Sequence, residues 1–345
     1  MSTCATASRD LSEPLAGTAA TARTWLLLEQ PGPWGAKALT SSHLDPELGR
    51  ALEKAAQGTG VRIALIRRPG RNADCHATAR HRVYVGHTVP GRTWLRGAEL
   101  DDPRQLLDLD FAALGAGDHG GFGTPHTGDP LVLVCTNGKR DRCCALLGRP
   151  LAAALTDSGT EGAWEITHLG GHRFSPTLLV LPYGYAYGRM DAPAVKEILD
   201  AARAGRVRTE GCRGNSAWER PGQAAELAVR EATGEDAADA LRVVATDRAV
   251  GTDGADGVGS ANQAGGAGGA GGAGGEATHW AVTVAHVDGR RWRVTVAQEA
   301  SLPPRPESCG AALGSPARMD VMAVRPLPES ADGPTYEIPA TVTSK

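Results

Sequence analysis

The spacing of apolar residues divides the first part of the chain into short strands around one helix. Residues 25–29 (WLLLE), 61–66 and 81–85 are apolar runs that predict strands, and residues 45–56 have the helical spacing of an amphipathic helix. Residues 102–109 predict a short helix or a turn, and the glycine-rich run 115–123 predicts a connection between two halves.

The second part of the chain has a clearer order of elements. The run LVLVC at 131–135 predicts a buried strand because it is continuously apolar and β-branched. A helix over 143–155, strands over 164–167 and 177–181 and a helix over 193–204 follow. Strand, helix, strand, strand, helix is the order of a thioredoxin-like α/β unit. Further helices are predicted over 222–233 and 236–242.

The C-terminal part is predicted to be a small β element behind a linker. The GGA repeats of residues 251–276 lack side chains that could build a core, so they predict a flexible segment. Residues 279–286 and 291–297 alternate in polarity on either side of an Asp288-Gly289 turn and predict a hairpin. The proline- and serine-rich final residues are predicted to lie on the surface.

These patterns predict an α/β protein in which an α/β half precedes a thioredoxin-like domain. The predicted divisions are a flexible N-terminus (1–20), an N-terminal α/β half (21–125), the thioredoxin-like domain (126–245), a glycine-rich linker (246–277), and the C-terminal β element with its tail (278–345).

Length and charge exclude several classes of function. A chain of 345 residues can bury a substantial core and is more often two domains than one. The net charge of −3 excludes a chain-wide basic surface for nucleic acid and a polybasic membrane anchor. The N-terminus lacks the apolar segment of a secretory signal, and no run approaches the ~18 apolar residues of a membrane span. We therefore predict a cytoplasmic protein with neither a nucleic-acid nor a membrane partner.

Two cysteines and two histidines stand out as candidate ligands. Cys135 ends a predicted strand, Cys144 follows in a C-x8-C spacing, and His168 and His172 form an H-x3-H pair. Thiolates and imidazoles are donors for zinc and for iron–sulfur clusters, and in a reducing compartment clustered cysteines favour metal or redox roles. The two glycines between the histidines allow a tight turn that brings both rings toward one metal.

The same region resembles a known family. The segment CTNGKRDRCC at 135–144 and the segment HLGGHRFSPTLLVLPYGYAYGRM at 168–190 resemble the sucrase/ferredoxin-like family, as do Gly17-Thr-Ala19, WLLLEQPGPWG at 25–35 and Gln223-Ala-Ala-Glu226. The resemblance covers about residues 4–230. It implies a thioredoxin-like ferredoxin domain, preceded here by a related or degenerate half. It also implies a [2Fe–2S] cluster on Cys135, Cys144, His168 and His172.

The resemblance implies single-electron transfer. Two thiolates and two neutral imidazoles leave an oxidised [2Fe–2S] cluster formally neutral, which raises its potential as in Rieske centres. We predict that reduction is coupled to protonation at His168 or His172. No pair of carboxylates marks a glycosidase. The protein is therefore predicted to be an electron carrier or oxidoreductase component with no catalytic residues of its own. Since no nucleotide-binding motif is evident, a separate reductase or acceptor is the predicted partner.

Alternatives remain open at this point. The same four residues could hold zinc in a Cys2His2 binding module without redox activity. A thiol oxidoreductase would use the vicinal pair Cys143-Cys144, but adjacent cysteines have poor geometry for a disulfide. The C-x8-C spacing of the family selects Cys144 over Cys143 as the ligand. Asp141 is predicted to cap the helix that begins near Cys143.

Other polar residues receive weaker assignments. A basic group could favour the reduced cluster or dock an acidic partner, or it could be solvated or paired with carboxylates; its members are Lys139, Arg140, Arg142, Arg173 and Arg189. Three alternating tyrosines are assigned to packing or a lid, not to a redox relay; they are Tyr183, Tyr185 and Tyr187. Three cysteines look isolated in the sequence and receive no role: Cys4, Cys212 and Cys309. Cys75 lies near His76 and His81, but this group lacks a second pair and follows no metal-binding pattern.

Overall fold

A ten-stranded mixed β-sheet forms the centre of the protein in a computed structural model that describes residues 3–70, 80–249 and 278–328. Its strands are β1 (Thr24–Glu29), β2 (Val61–Arg67), β3 (His81–His87), β4 (Trp94–Leu100), β5 (Thr124–Pro125), β6 (Leu131–Cys135), β7 (Ala163–Ile166), β8 (Thr177–Leu181), β9 (Tyr185–Gly188) and β10 (Cys212–Asn215). Their order across the sheet is β10-β9-β8-β6-β7-β2-β1-β3-β4-β5.

Six α-helices lie in the part of the chain that the structure describes. They are α1 (Cys4–Asp10), α2 (Pro46–Ala56), α3 (Phe111–Ala116), α4 (Arg142–Asp157), α5 (Ala192–Arg203) and α6 (Arg220–Thr233). Two short 3-10 helices cover Pro103–Asp108 and His172–Phe174. No helix in the described ranges is long and apolar enough to cross a membrane.

The two halves of the large sheet have the same internal plan. In the first half, β1 and β2 are parallel and joined through α2, and β3 and β4 continue antiparallel beside β1. In the second half, β6 and β7 are parallel and joined through α4, and β8 and β9 continue antiparallel beside β6. The halves meet where β2 and β7 pair antiparallel at Ile66 and Ile166. The predicted α/β class is therefore confirmed, and the two halves of the sheet are built on the same plan.

Alternation along the strands divides the core into layers. Trp25 and Leu27 in β1 share a central apolar cluster with Leu133 in β6, whereas Leu26 packs with α2 and Val132 packs with α4 and α5. Because successive strand residues point to opposite faces, each buried strand contributes to two clusters. Cys135 and Cys144 belong to the central cluster, so the candidate site is buried at the carboxyl end of β6.

A separate four-stranded antiparallel sheet forms the C-terminal element. It contains β11 (Leu241–Ala249), β12 (Thr278–His286), β13 (Arg291–Ala300) and β16 (Ala317–Pro326), with a two-stranded ladder of β14 (Arg305–Pro306) and β15 (Leu313–Gly314) before the last strand. The predicted hairpin is β12 and β13. Apolar residues of this sheet pack on α6 through Val229. The predicted glycine-rich segment 251–276 lies outside the described residues.

Several elements differ from the predictions. The helix predicted over 236–242 is wrong: α6 ends at Gly234 in the left-handed region, and Leu241 starts β11 instead. Leu241 pairs with His286 of β12, so the tertiary partner overrides the local helical spacing. The N-terminus, predicted to be loose, contains α1, and the C-terminal region predicted to lie on the surface contains β16. The domain boundaries stay predictions.

Candidate metal centre

The two predicted cysteine ligands come from a strand end and the helix that follows it. Cys135 is the last residue of β6, and Cys144 lies in the first turn of α4. Asp141 caps this helix as predicted, because its Oδ1 accepts a hydrogen bond from the Cys143 N–H at 2.8 Å. A Cβ built on Gly148 would lie 2.1 Å from the Cys135 carbonyl oxygen, so only glycine lets α4 approach β6 this closely. Both thiols are almost fully buried.

The two histidines come from the loop that follows β7. Gly170 and Gly171 have left-handed φ angles of 81° and 66°, which turn the backbone between the rings. The buried Arg213 holds this turn by donating to the Gly170 carbonyl at 3.1 Å. A Cβ on Gly171 would lie 2.1 Å from Arg213 Nη2, so the guanidinium occupies the space that a side chain would fill.

Three of the four predicted ligands meet in this region, and the converging group does not include His172. The ligand atoms of Cys135, Cys144 and His168 lie within 4.8 Å of one another. The His172 ring lies beside them, 5.1 Å from the His168 ring between centroids. Its Nε2 faces Asp141 Oδ2 at 3.5 Å. Among the described residues, the Nδ1 atoms of both histidines are buried and have no hydrogen-bond partner. Two unsatisfied ring nitrogens beside two buried thiols are donor atoms that fit a metal or cluster.

The surroundings of the cysteines favour a thiolate at Cys135. Hydrogen bonds from Cys144, His168 and the Leu169 backbone N–H hold the pKa of Cys135 well below its ordinary value, despite burial. The same contact with Cys135, together with burial, raises the pKa of Cys144. Burial lowers the pKa of His172 although Asp141 opposes this, so its imidazole is held neutral. A thiolate and a neutral imidazole are the protonation states of metal ligands.

The arginines that interact electrostatically with Cys135 are not the ones singled out in the sequence. Arg62 donates to the His168 carbonyl at 3.0 Å and, like Arg213, interacts electrostatically with Cys135. Burial lowers the pKa of Arg213 to about 9. Neither arginine lies in a recognisable motif, and Arg62 lies more than 70 residues before Cys135 in the chain. Only the folded chain brings both arginines to the site.

The predicted basic group separates into two parts. Lys139, Arg140 and Arg142 are exposed at the start of α4. Arg173 instead pairs with Glu13 at 2.8 Å, and Arg189 donates to the Ser8 hydroxyl at 2.9 Å. These two arginines therefore fasten the N-terminal segment across the candidate site.

Two alternating tyrosines are buried, and one belongs to a polar network. Tyr185 donates to Glu226 at 2.5 Å and accepts from Arg230 at 2.8 Å. Tyr187 is buried in the neighbouring apolar cluster. These contacts agree with the packing role that the sequence suggested.

Two cysteines that look isolated in the sequence are not isolated in the structure. Cys4 Sγ lies 3.4 Å from Cys143 Sγ and 3.6 Å from Cys309 Sγ, and Cys143 and Cys309 are 3.2 Å apart. Burial raises the pKa of Cys4 and of Cys143. No periodicity or spacing in the sequence marks this group, because its members come from α1, α4 and the connection between β14 and β15. Cys75 lies outside the described residues.

The fold and site define a mixed α/β protein with a buried cysteine–histidine centre of the kind that binds a metal or a cluster. The chain belongs to the sucrase/ferredoxin-like family, whose model matches residues 15–214. Comparison with curated proteins and comparison with solved structures gave no match. The family match includes all four predicted ligands, whereas Cys4 and Cys309 lie on either side of it.

Proposed function

We propose that this protein transfers single electrons through a [2Fe–2S] cluster held by Cys135, Cys144, His168 and His172. One observation carries the proposal: two buried thiols converge with His168, the His172 ring lies 5.1 Å from the His168 ring, and the Nδ1 atoms of both rings lack partners among the described residues. The ferredoxin part of the family description supports the same chemistry. When bound, such a cluster accepts and donates one electron at a time.

The residues around the ligands would tune the site. Neutral imidazoles at two positions leave less negative charge than four thiolates, which favours reduction. Arg62 and Arg213 add positive charge beside Cys135 and act in the same direction. Asp141 lies against His172 Nε2, so it would orient the ring with Nδ1 facing the ligand group. Coupling of electron transfer to protonation at His168 or His172 stays a prediction.

The electron partner is proposed to be a separate protein. The exposed Lys139, Arg140 and Arg142 lie at the start of α4, next to the cysteine ligands. Positive charge at this edge would steer an acidic reductase or acceptor toward the site. We place this exchange in the cytoplasm, where a reducing environment keeps the free thiols available.

The test is anaerobic purification with iron, sulfide, zinc and visible absorption measured on one sample. We expect about two irons and two sulfides per chain, and their loss in Cys135→Ser. Cys212→Ser is the matched control, because Cys212 is also a buried free thiol but lies in β10 outside both cysteine groups. It should keep the full iron content.

A ligand exchange tests the role of the imidazoles. His172→Cys replaces a neutral ligand with a thiolate, so the midpoint potential should fall by on the order of 100 mV while iron remains bound. An unchanged potential would show that His172 is not a ligand. A colourless protein that binds zinc through Cys135 even after cluster reconstitution would establish the alternative, a zinc-stabilised binding module.

A further inference from the structure

Three thiols from distant parts of the chain meet next to the proposed cluster site. Cys4 starts α1, Cys143 lies in the first turn of α4, and Cys309 lies in the connection between β14 and β15. The three Sγ–Sγ distances are 3.2, 3.4 and 3.6 Å. Asp141 joins them, since its Oδ1 lies 3.9 Å from Cys4 Sγ and its Oδ2 accepts from the Cys309 N–H at 2.8 Å. The four donor atoms all lie within 4.8 Å of one another.

These distances match the ligand shell of a single tetrahedral ion. Zinc–sulfur bonds of about 2.3 Å place the sulfurs of a tetrahedral site about 3.8 Å apart, which is about 0.2 to 0.6 Å longer than the observed distances. A disulfide needs sulfurs about 2.05 Å apart and joins only two, so it does not explain why three thiols are nearly equidistant. A cluster with one cysteine on each iron would hold the sulfurs farther apart.

We propose that Cys4, Cys143, Cys309 and Asp141 form a mononuclear zinc site, separate from the proposed cluster site. Three thiolates and one carboxylate oxygen give zinc four donors, and Cys143 at the start of α4 places negative charge at the positive end of the helix dipole. None of the three cysteines belongs to the cluster ligand set. Asp141 also faces His172 Nε2 at 3.5 Å, so the two sites are neighbours, but the four zinc donors themselves do not depend on the proposed electron transfer.

The zinc ion would hold the two ends of the chain on the family domain. Cys4 and Cys309 lie outside the matched residues 15–214, whereas Cys143 lies inside them. The N-terminal segment and β14 also meet the histidine loop in an ionic group, because Glu13 accepts from Arg173 at 2.8 Å and lies 3.8 Å from Arg305. Together these contacts fix α1 and the β14–β15 connection over the loop that carries the histidines.

The experiment measures zinc and iron on the full-length protein and on three variants. We expect about one zinc per chain in the wild type, its loss in Cys309→Ser, and its retention in Cys135→Ser and in the control Cys212→Ser. X-ray absorption at the zinc edge of the wild type should show three sulfurs at about 2.3 Å and one oxygen at about 2.0 Å. This second measurement needs no variant and therefore does not depend on whether Cys309→Ser folds.

Several outcomes would overturn the zinc site. The first is zinc that stays in Cys309→Ser but is lost in Cys135→Ser. The second is an X-ray absorption spectrum that shows two sulfur and two nitrogen ligands. The third is a wild-type protein that takes up no zinc and in which mass spectrometry finds two of the three cysteines in a disulfide. Failure of the electron-transfer proposal would give a different pattern of metal contents. In that case iron is absent, while zinc still depends on Cys309.

Discussion

Replacing Gly148 with alanine should separate the helix and strand that carry the two cysteine ligands. The new Cβ would lie 2.1 Å from the Cys135 carbonyl oxygen, while an ordinary contact needs about 3.4 Å, so α4 must retreat by about 1.3 Å. Overpacking of this kind costs up to about 3 kcal/mol, here against a backbone atom that cannot rotate away. Alanine recovers about 1 kcal/mol of helix propensity. We expect Gly148→Ala to lower the free energy of unfolding by about 2 kcal/mol.

The displacement should also lower the metal content, since Cys144 moves with α4 away from Cys135. The assay combines urea unfolding with iron and zinc analysis of the purified variant. Gly49→Ala is a matched control: its Cβ would lie 2.0 Å from the Leu39 carbonyl oxygen, and Leu39 belongs to an apolar cluster of the N-terminal half that contains no cysteine. It should lose comparable stability and keep its metal. Equal metal content in Gly148→Ala and the wild type would refute the proposed role of this close approach.

Two further predictions concern buried titratable side chains, His87 and the Glu226–Arg230 ion pair. Burial lowers the pKa of His87 to about 4, whereas in the unfolded chain it titrates near 6.5, so the unfolded state binds more protons between these values. Stability should therefore fall as the pH falls through that window, by up to about 3 kcal/mol, and pH-dependent urea unfolding of His87→Gln should lack this part of the loss. Arg230→Ala removes the partner of the fully buried Glu226 and should cost about 3–5 kcal/mol in thermal or urea unfolding.

Each of these two predictions has its own control and its own contradicting result. An acid profile of His87→Gln that overlays the wild type would contradict the assignment of a neutral, buried His87. For the ion pair, the double variant Glu226→Gln with Arg230→Met should recover part of the stability, because it leaves no unpaired buried charge. A single variant Arg230→Ala as stable as the wild type would show that Glu226 finds another partner or protonates without cost.

Elements with strong local patterns could be predicted from the sequence. The strands β6 and β8 coincide with the predicted runs at 131–135 and 177–181, and Asp141 caps α4 where its sequence position suggested. Strands that are buried on both faces are continuous apolar runs, and a capping side chain acts within its own turn, so neighbouring residues contain the information. The helix predicted over 236–242 failed because pairing with β12, a partner far along the chain, decides that segment.

The sequence by itself determined the donor types of the candidate site and the turn that joins its histidines. The C-x8-C and H-x3-H spacings each lie within one local unit, a strand with its helix or a single loop, so geometry follows from spacing. Only the tertiary structure decided which other groups join them. Cys309 reaches Cys143 from 166 residues away, and Arg213 reaches the Gly170 carbonyl from the edge strand β10. Contacts between residues so far apart in the sequence depend on the path of the whole chain, and the local spacing of apolar residues does not predict that path.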